Sequence, residues 1–460
     1  MNCHSFPRPV PIGVVLALIV ALQAFTAPSA TSQQPVADSV VRLTLGQAVR
    51  LASRQNAAVA EAYARVDAAK ARVTQRRAEL LPSVTGDLVE RGTTTNSATF
   101  PIEFPSAPGQ RALFDPSGSI LGPVNVFDAR AKVSQMLYDP GARTRVLTAR
   151  TGVAAANADA ASIADLAAGN AANAYLGVLR ADAVYTARVA DSTLASELLG
   201  IAQGQLKAGT GIALDVTRAR SQLTGARTQL IVARNERDRT RVELARTLGL
   251  PLVRLELGDA LATLPIAAVT TEAGALEMAS RNRKDIQALE LQAEAARQQA
   301  EAIHAERLPR VGVFADEGIS QRNGRSYLPT YDWGIQLSLP IFDGFRREGR
   351  VAEQVSAARD LAIRVRDLHA QVDADVRIAT LNLRSSAEAV EAARERLSLA
   401  EQEVSQARER FQAGVSGNAD VITASLALNT ARTQLVDVLT SYQTSRVALA
   451  RAQGSIATLD

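Results

Sequence analysis

The chain has 460 residues, of which 47% are apolar and only 4% aromatic, and its formal net charge is +4. Its length and apolar content suffice for more than one core, and abundant alanine with few aromatics is typical of closely packed long helices. Acidic and basic residues are interspersed and form no basic cluster, which argues against a nucleic-acid partner.

The N-terminus has the pattern of a secretory signal. Arg8 precedes an apolar run, Ile12–Phe25, which is too short to span a membrane as a helix. We expect a signal peptide over residues 1–29, with cleavage after the small residues that follow the run. Cys3, the only cysteine, lies before the run, so we expect no lipid anchor and no disulfide in the mature chain. No later segment has 18 consecutive apolar residues, so the mature chain is expected to be either soluble outside the cytoplasm or a β-barrel.

An internal repeat predicts the architecture. Residues 206–230 align without a gap with residues 411–435, at an offset of 205, and 11 of the 25 positions are identical. Residues 51–84 align with residues 278–311 at an offset of 227. We therefore expect a first structural repeat over 30–247, a linker over 248–270 and a second repeat over 271–460.

Each repeat contains a predicted β-hairpin, over about 83–137 in the first and about 310–341 in the second. In the first hairpin, apolar residues alternate with polar or charged ones, the apolar positions being Phe127, Ala129, Ala131 and Val133. The same alternation runs from Tyr331 to Ile341 in the second hairpin. These strands are about ten residues long, which suits a tilted strand crossing a bilayer. A soluble hairpin packed on helices is the alternative, although its charged face and open edges make it a poor soluble sheet.

Two very long helices follow the hairpins, over about 142–207 and 345–412. Each has about 65 residues, or roughly 100 Å at 1.5 Å per residue. Gly-containing corners at 208–214 and 413–419 end them, and return helices with heptad spacing follow, which predicts coiled-coil packing.

The chain resembles the TolC family of outer-membrane efflux proteins. The resemblance rests on the two-fold repeat, on the sequence LSLPIFDGFRREGRV after the last strand, and on the two corners with their Ala-Gly and Asp-Val pairs. It implies a mixed membrane α+β fold. Long coiled-coil helices would form a trimeric periplasmic α-barrel continuous with a 12-stranded outer-membrane β-barrel, to which each protomer gives four strands. Residues 31–50 and the linker 248–270 would form an equatorial belt.

The same resemblance implies the partners and the location. The protein would be a homotrimer in the outer membrane of a Gram-negative bacterium, in contact with outer-membrane lipid and extending into the periplasm. It would act as an exit duct for efflux or type I secretion, with a periplasmic adaptor (membrane fusion) protein and an inner-membrane RND or ABC pump as partners.

Site residues are carried over by position. Asp420 resembles a family aperture carboxylate and Asp215 its counterpart in the other corner, while Thr423 and Phe411 occupy further aperture positions. Three copies of Asp420 would form an acidic ring that favours cations. A role as helix N-caps is the alternative for Asp215 and Asp420. The expected adaptor-docking tip comprises Ala208, Gly209, Thr210, Gly211, Ile212, Ala413, Gly414, Val415, Ser416 and Gly417.

Two other classes of function fit the sequence less well. A periplasmic coiled-coil adaptor or scaffold without a barrel accounts for the heptads but not for the hairpins or the repeat. An enzyme is not expected: His304 and His369 lie in helical stretches without ligand or triad spacing, and no phosphate loop, nucleophile motif or metal cluster occurs. We therefore expect no catalytic residue, no metal and no cofactor.

Overall fold

The computed structural model describes residues 41–99, 118–251, 255–265, 271–415 and 417–459. The expected signal peptide, part of the loop after the first hairpin strand, parts of the expected linker, and Ser416 lie outside the described residues. Within those residues, no helix is both long enough and apolar enough to cross a membrane.

Helices and strands occur twice in the same order, as two helices, two strands and two helices. The helices are α1 Leu45–Gln55, α2 Ala57–Ala78, α3 Pro140–Lys207, α4 Ala213–Thr247, α5 Glu272–Asn282, α6 Lys284–Ala305, α7 Arg346–Gln412 and α8 Asn418–Ala452. The strands are β1 Val41–Leu43, β2 Ser83–Asn96, β3 Ile120–Tyr138, β4 Leu255–Leu257, β5 Arg310–Arg322 and β6 Leu328–Ser338.

Local sequence explains where the longest helices begin and end. The side chain of Asp139 accepts a hydrogen bond from the Gly141 backbone N–H at 2.9 Å, and Pro140 occupies the first turn, where its missing N–H costs nothing. Helix α3 then continues for 68 residues, about 100 Å. Helix α7, with 67 residues, is almost the same length.

Strands β2, β3, β5 and β6 form one antiparallel sheet in that order. Val84 pairs with Val133, Val133 with Ala315, and Ala315 with Trp333, so apolar residues of all four strands lie on one face. That face is not covered by the rest of the described chain: Leu88 is 75% exposed and Trp333 is 72% exposed. The outer edges of β2 and β6 are also unpaired within the described residues.

The opposite face of the sheet carries an ion-pair network. Arg130 contacts Asp128 at 2.6 Å on its own strand and Asp316 at 2.9 Å on the neighbouring strand. Lys132 contacts Asp87 at 2.9 Å. The alternation noticed in the sequence therefore separates an apolar face from a charged face.

Equivalent ion pairs join the end of the helix before the hairpin to the start of the helix after it in both halves. Arg145 contacts Glu79 at 2.7 Å, and Arg350 contacts Glu306 at 2.8 Å. These partners are related by the same offsets, 205 and 227, as the repeats. Burial alone raises the pKa of Glu79, but the hydrogen bonds and charges of Arg76 and Arg145 outweigh it, so the pKa lies below its ordinary value.

The main core lies near the middle of the long helices. The hydroxyl oxygen of buried Tyr175 lies 2.9 Å from the Leu43 carbonyl oxygen and 2.8 Å from the Asp259 carboxylate, so the single O–H proton is shared between these two acceptors. Because β1 and β4 pair in parallel beside this tyrosine, the start of the described chain is joined to the segment that connects the two halves. Burial, followed by the Asp259 carboxylate, raises the pKa of Tyr175.

Toward the corners the helices pack side by side in the order α4, α3, α8, α7. Small apolar clusters join neighbours: Ala195 packs with Leu223 and Ala226, and Ala400 with Ala424 and Leu428. Alanine at these seams allows close approach, as its abundance in the sequence indicates. This order leaves the far sides of α4 and α7 as the two ends of the helical layer.

Candidate functional site at the helical corners

Each corner ends a long helix with the same hydrogen-bonded turn. In the first, the Gly209 N–H donates to the Leu206 carbonyl at 3.1 Å and the Thr210 N–H to the Gln205 carbonyl at 3.0 Å. In the second, Gly414 and Val415 repeat these bonds. This is a Schellman motif, which requires a left-handed residue, and Gly209 and Gly414 have φ of 76° and 71°. A Cβ at either glycine would meet nothing within 4 Å, so backbone conformation and not space requires glycine.

The side chain of Phe411 lies in the core of the second corner. It is 2% exposed and packs with Leu198 of α3 and Val421 of α8. Within a single chain it therefore does not line an open surface. Phe411 can therefore affect an aperture only indirectly, because its packing positions the end of α7.

Two amide side chains connect the corners. The Asn418 Nδ2 donates to the Asp215 carbonyl at 3.0 Å, and the Gln205 Nε2 donates to the Phe411 carbonyl at 2.9 Å. Asn418 is fully buried, and its Oδ1 has no hydrogen-bond partner within the described part of the chain. The bonds hold the two corners at the same level. Sequence reasoning missed both residues, although Asn418 replaces the alanine found at the equivalent position, Ala213, and this departure was a usable signal.

Asp215 and Asp420 each occupy the third position of a helix. The N-cap residues are Ile212 and Gly417, and neither helix start has a side-chain cap. The alternative that the two aspartates are N-cap residues is therefore wrong. A carboxylate in the first turn still interacts favourably with the helix dipole. The two environments differ: the Asp215 side chain is 17% exposed and lies 3.9 Å from Arg218.

Asp420 is exposed and has neither an ion-pair partner nor a side-chain hydrogen bond among the described residues. Thr423, one turn further along α8, is also exposed and donates its hydroxyl hydrogen bond to the Ala419 carbonyl at 3.0 Å. Asp420 is therefore available for ions or for another chain, while Thr423 is engaged with its own helix.

The remaining predicted tip residues lie together at this end of the molecule. Ala208, Gly209, Thr210, Ile212, Ala413, Gly414, Val415 and Gly417 are exposed, and Gly211 is half-buried. Large apolar side chains stand among them, since Ile212 and Val415 are both exposed. Such side chains suit an apolar contact with another protein.

A buried ionic cluster above the corners was not found from the sequence. Asp191 of α3 is buried and contacts Arg188 at 3.0 Å and Arg432 of α8 at 3.1 Å. Because two arginines compensate the buried carboxylate, the cluster fixes the register of α3 against α8. The described residues contain no group of His, Cys, Asp and Glu that could hold a metal ion.

Comparison with curated proteins finds two relatives. Alkaline protease secretion protein AprF of Pseudomonas aeruginosa is 29% identical over 287 residues, which are 59% of this chain and 58% of AprF. Protein CyaE of Bordetella pertussis is 26% identical over 438 residues, which are 92% of this chain and 86% of CyaE.

Solved structures have a similar fold. The outer-membrane channel OprN superposes with a TM-score of 0.72 at 18% identity, covering 89% of this chain and 90% of OprN. The outer membrane protein VceC from Vibrio cholerae gives 0.71 at 19% identity, covering 89% of this chain and 96% of VceC. At these identities the similarity shows only that the chain shares the mostly helical fold of these two proteins.

A family model decides the membership. The model described as outer membrane efflux protein matches residues 48–250 and 275–455, which together are well over half of the chain. The protein therefore belongs to the outer membrane efflux protein (TolC) family, and it is located in the outer membrane of a Gram-negative bacterium and extends into the periplasm.

Proposed function

We propose that the protein is a homotrimeric outer-membrane exit duct that serves a tripartite efflux or type I secretion system. Substrates would pass from an inner-membrane RND or ABC pump, through a periplasmic adaptor and this duct, to the exterior. The duct itself performs no chemistry and needs no cofactor.

The observation that carries the proposal is the four-stranded sheet. Its apolar face is uncovered, its opposite face is charged and both of its edges are unpaired within the described residues. A membrane-embedded sheet requires closed edges, and bacterial outer-membrane barrels contain at least about eight strands. Four strands are too few, whereas three copies give a barrel of 12, with lipid on the apolar face and water on the charged face.

The helices account for the periplasmic part of the duct. Helices α3 and α7 are each about 100 Å long, enough to carry a wall from the membrane deep into the periplasm. In a three-fold assembly their corners form the narrow end. The exposed Asp420 then lines the aperture as a ring of three carboxylates, with Asp215 behind it.

The exposed tip residues of both corners form the adaptor-docking surface in this proposal. The apolar side chains of Ile212 and Val415 supply the contact, since exposed apolar groups at an end of a protein are often covered by a partner. The similarity to AprF, which is named as an alkaline protease secretion protein, supports a place in an export system.

Single-channel recording in planar bilayers tests the proposal. The purified mature protein is expected to insert as trimers and to conduct a small, cation-selective current, and Asp420→Ala is expected to reduce the selectivity. Unchanged selectivity in the variant would remove Asp420 from the aperture but keep the duct. Purified trimers that do not insert would contradict the barrel.

Cell fractionation tests the alternative of an adaptor or scaffold without a barrel. That alternative requires the protein to leave the membrane with a high-salt wash. The proposed duct is expected to remain in the outer-membrane fraction until detergent is added.

A further inference from the structure

We propose that residues 341–346, between the last strand and α7, form a binding site for an anionic phospholipid at the periplasmic boundary of the membrane. The rings of Phe342 and Phe345 lie against the acyl chains, and Arg346 binds the phosphate of the headgroup. The inference rests on the proposed barrel, whose apolar face contacts lipid, and adds to it one specific headgroup contact.

The apolar face of the sheet continues beyond the sheet itself. Along β6 the apolar side chains occupy odd-numbered positions and are exposed. The alternation goes on after the strand ends, at Leu339 and at Ile341, which is 90% exposed. Phe342 and Phe345 follow, 73% and 71% exposed. Because the described chain does not cover these side chains, the uncovered apolar surface extends as far as the start of α7.

The backbone of Phe345 is in an unusual conformation. Its φ is 64°, in the left-handed region, which is unfavourable for a bulky side chain. Phe345 is also the N-cap residue of α7 and gives that helix no side-chain hydrogen bond. Its ring meets the ring of Phe342 edge to face, with the centroids 5.6 Å apart. Strain of this kind persists mainly at functional sites, and an exposed ring held in this way suits the interface between lipid and water.

The corresponding segment of the first half has neither feature. It is one residue shorter, since residues 138–145 align with residues 342–350. Asp139 caps α3 and Pro140 occupies its first turn. At the offset of 205, Gly141 takes the place of Arg346. The exposed ring and the arginine are therefore not required to begin a long helix after a hairpin.

The charge of Arg346 is uncompensated. The side chain is exposed and has no ion-pair partner among the described residues. Neighbouring carboxylates are already paired, since Asp343 contacts Arg347 at 2.7 Å and Glu348 contacts Arg307 at 2.9 Å. A positive charge in the first turn also opposes the helix dipole, so Arg346 does not stabilise α7. An anionic ligand accounts for it.

A phospholipid matches the order of these groups. Residues 306–310 and 343–350, which lie together at this end of the sheet, contain five arginines and three acidic residues, a net charge of +2. The change from apolar to cationic surface within six residues resembles the change from acyl chain to phosphate in a lipid. Arginine binds phosphate through two parallel hydrogen bonds. A free phosphate ion would leave the two rings unused, and an apolar protein surface would leave Arg346 unpaired.

Fluorescence quenching by lipids with brominated acyl chains tests the position of the rings. Trp333, the single tryptophan, lies on the apolar face of the sheet and is expected to be quenched in vesicles of such lipids. In a Trp333→Phe background, Phe345→Trp is also expected to be quenched, most strongly by bromines near the headgroup. Val355→Trp is the matched control, because Val355 is exposed and lies nine residues beyond Arg346 on α7, about 14 Å away. It is expected to escape quenching.

The quenching results separate the site from the barrel. Quenching of Trp333 without quenching of Phe345→Trp would contradict the lipid site and leave the duct intact. Absence of quenching at Trp333 would contradict the barrel, and the lipid site with it. Equal quenching of Phe345→Trp and Val355→Trp would also overturn the site, because the membrane boundary would then lie further along α7.

Native mass spectrometry of the purified protein tests the headgroup contact. After incubation with equal amounts of phosphatidylglycerol and phosphatidylcholine, the wild-type protein is expected to retain mainly phosphatidylglycerol. Arg346→Gln is expected to lower this retention about fivefold, the effect of one arginine near an anionic lipid surface. Arg366→Gln is the control, since Arg366 is exposed on the same helix about 30 Å away and has no ion-pair partner among the described residues. Equal retention by the two variants would overturn the site.

Phe345→Gly separates lipid binding from a role of the ring in folding. Glycine adopts a φ of 64° without strain, so thermal stability in detergent is expected to be unchanged or higher. Retention of phosphatidylglycerol is expected to fall. Lower stability with unchanged lipid retention would mean that the ring supports the start of α7, and the proposed site would be wrong.

Discussion

The two corners have the same backbone turn, yet Leu206 in the first is 40% exposed while Phe411, its equivalent in the second, is 2% exposed. Ala213 and Asn418 differ in the same way, because the alanine is exposed and the asparagine is buried. The second corner is therefore embedded against α3, whereas the first lies outside and depends on the second for its position. The second corner is thus held by packing against α3, and the first corner is held by its hydrogen bonds to the second.

Phe411→Ala is expected to have the largest effect among the variants that test this difference between the corners. Removal of a buried aromatic side chain is expected to cost about 3–5 kcal/mol of local stability. Leu206→Ala, the matched change in the first corner, is expected to cost less than about 1 kcal/mol because that side chain is largely in contact with solvent. Hydrogen–deuterium exchange of the last turns of α3 and α7 measures both. Equal costs would remove the distinction between the corners.

Asn418→Ala is expected to release the first corner. It removes the hydrogen bond to the Asp215 carbonyl, and loss of such a buried bond typically costs about 1–3 kcal/mol. The unpartnered Oδ1 of Asn418 is removed at the same time, which favours the low end of that range. Amide exchange is expected to rise at the start of α4, and Ala213→Ser, at the equivalent position, serves as control. If exchange changed only within α8, the proposed support of one corner by the other would be wrong.

Gly209→Ala and Gly414→Ala should affect the two corners equally. Both glycines have positive φ and open space around them, so the cost is backbone strain alone, about 1–2 kcal/mol each. Thermal unfolding followed by circular dichroism compares the two variants side by side. A clearly larger effect at one corner would mean that surroundings outside the chain, such as a neighbouring copy, also constrain it.

The smallest expected difference concerns the aspartates. Asp215→Asn and Asp420→Asn each remove a first-turn charge that stabilises a helix by about 0.3–1 kcal/mol. Their effects on unfolding should be similar, but only Asp420→Asn is expected to change ion selectivity, since Asp420 is exposed and unpaired among the described residues. Bilayer reversal potentials in a salt gradient measure this difference. A larger change from Asp215→Asn would exchange their proposed roles.

Sequence patterns alone identified the parts of this protein that depend on local rules. The alternation from Phe127 to Ser134 predicts a two-faced strand because successive side chains of a strand point to opposite sides. The absence of proline between Pro140 and Pro251 and the glycines at 209 and 414 predict where a long helix runs and ends. The repeat aligns Arg145 with Arg350 and Glu79 with Glu306. Within each half, the arginine forms an ion pair with the glutamate.

Tertiary structure decided which of two similar sequences became buried. Nothing in the local sequence of Phe411 or Asn418 states that the end of α7 packs against α3, which buries Phe411 and leaves Leu206 exposed. The contacts of Asp191 with Arg432 and of Tyr175 with Asp259 join residues far apart in the chain, and their sequence spacing follows no local period. Secondary structure follows from neighbours within a few residues, whereas burial and ion pairing depend on which helices the fold brings side by side.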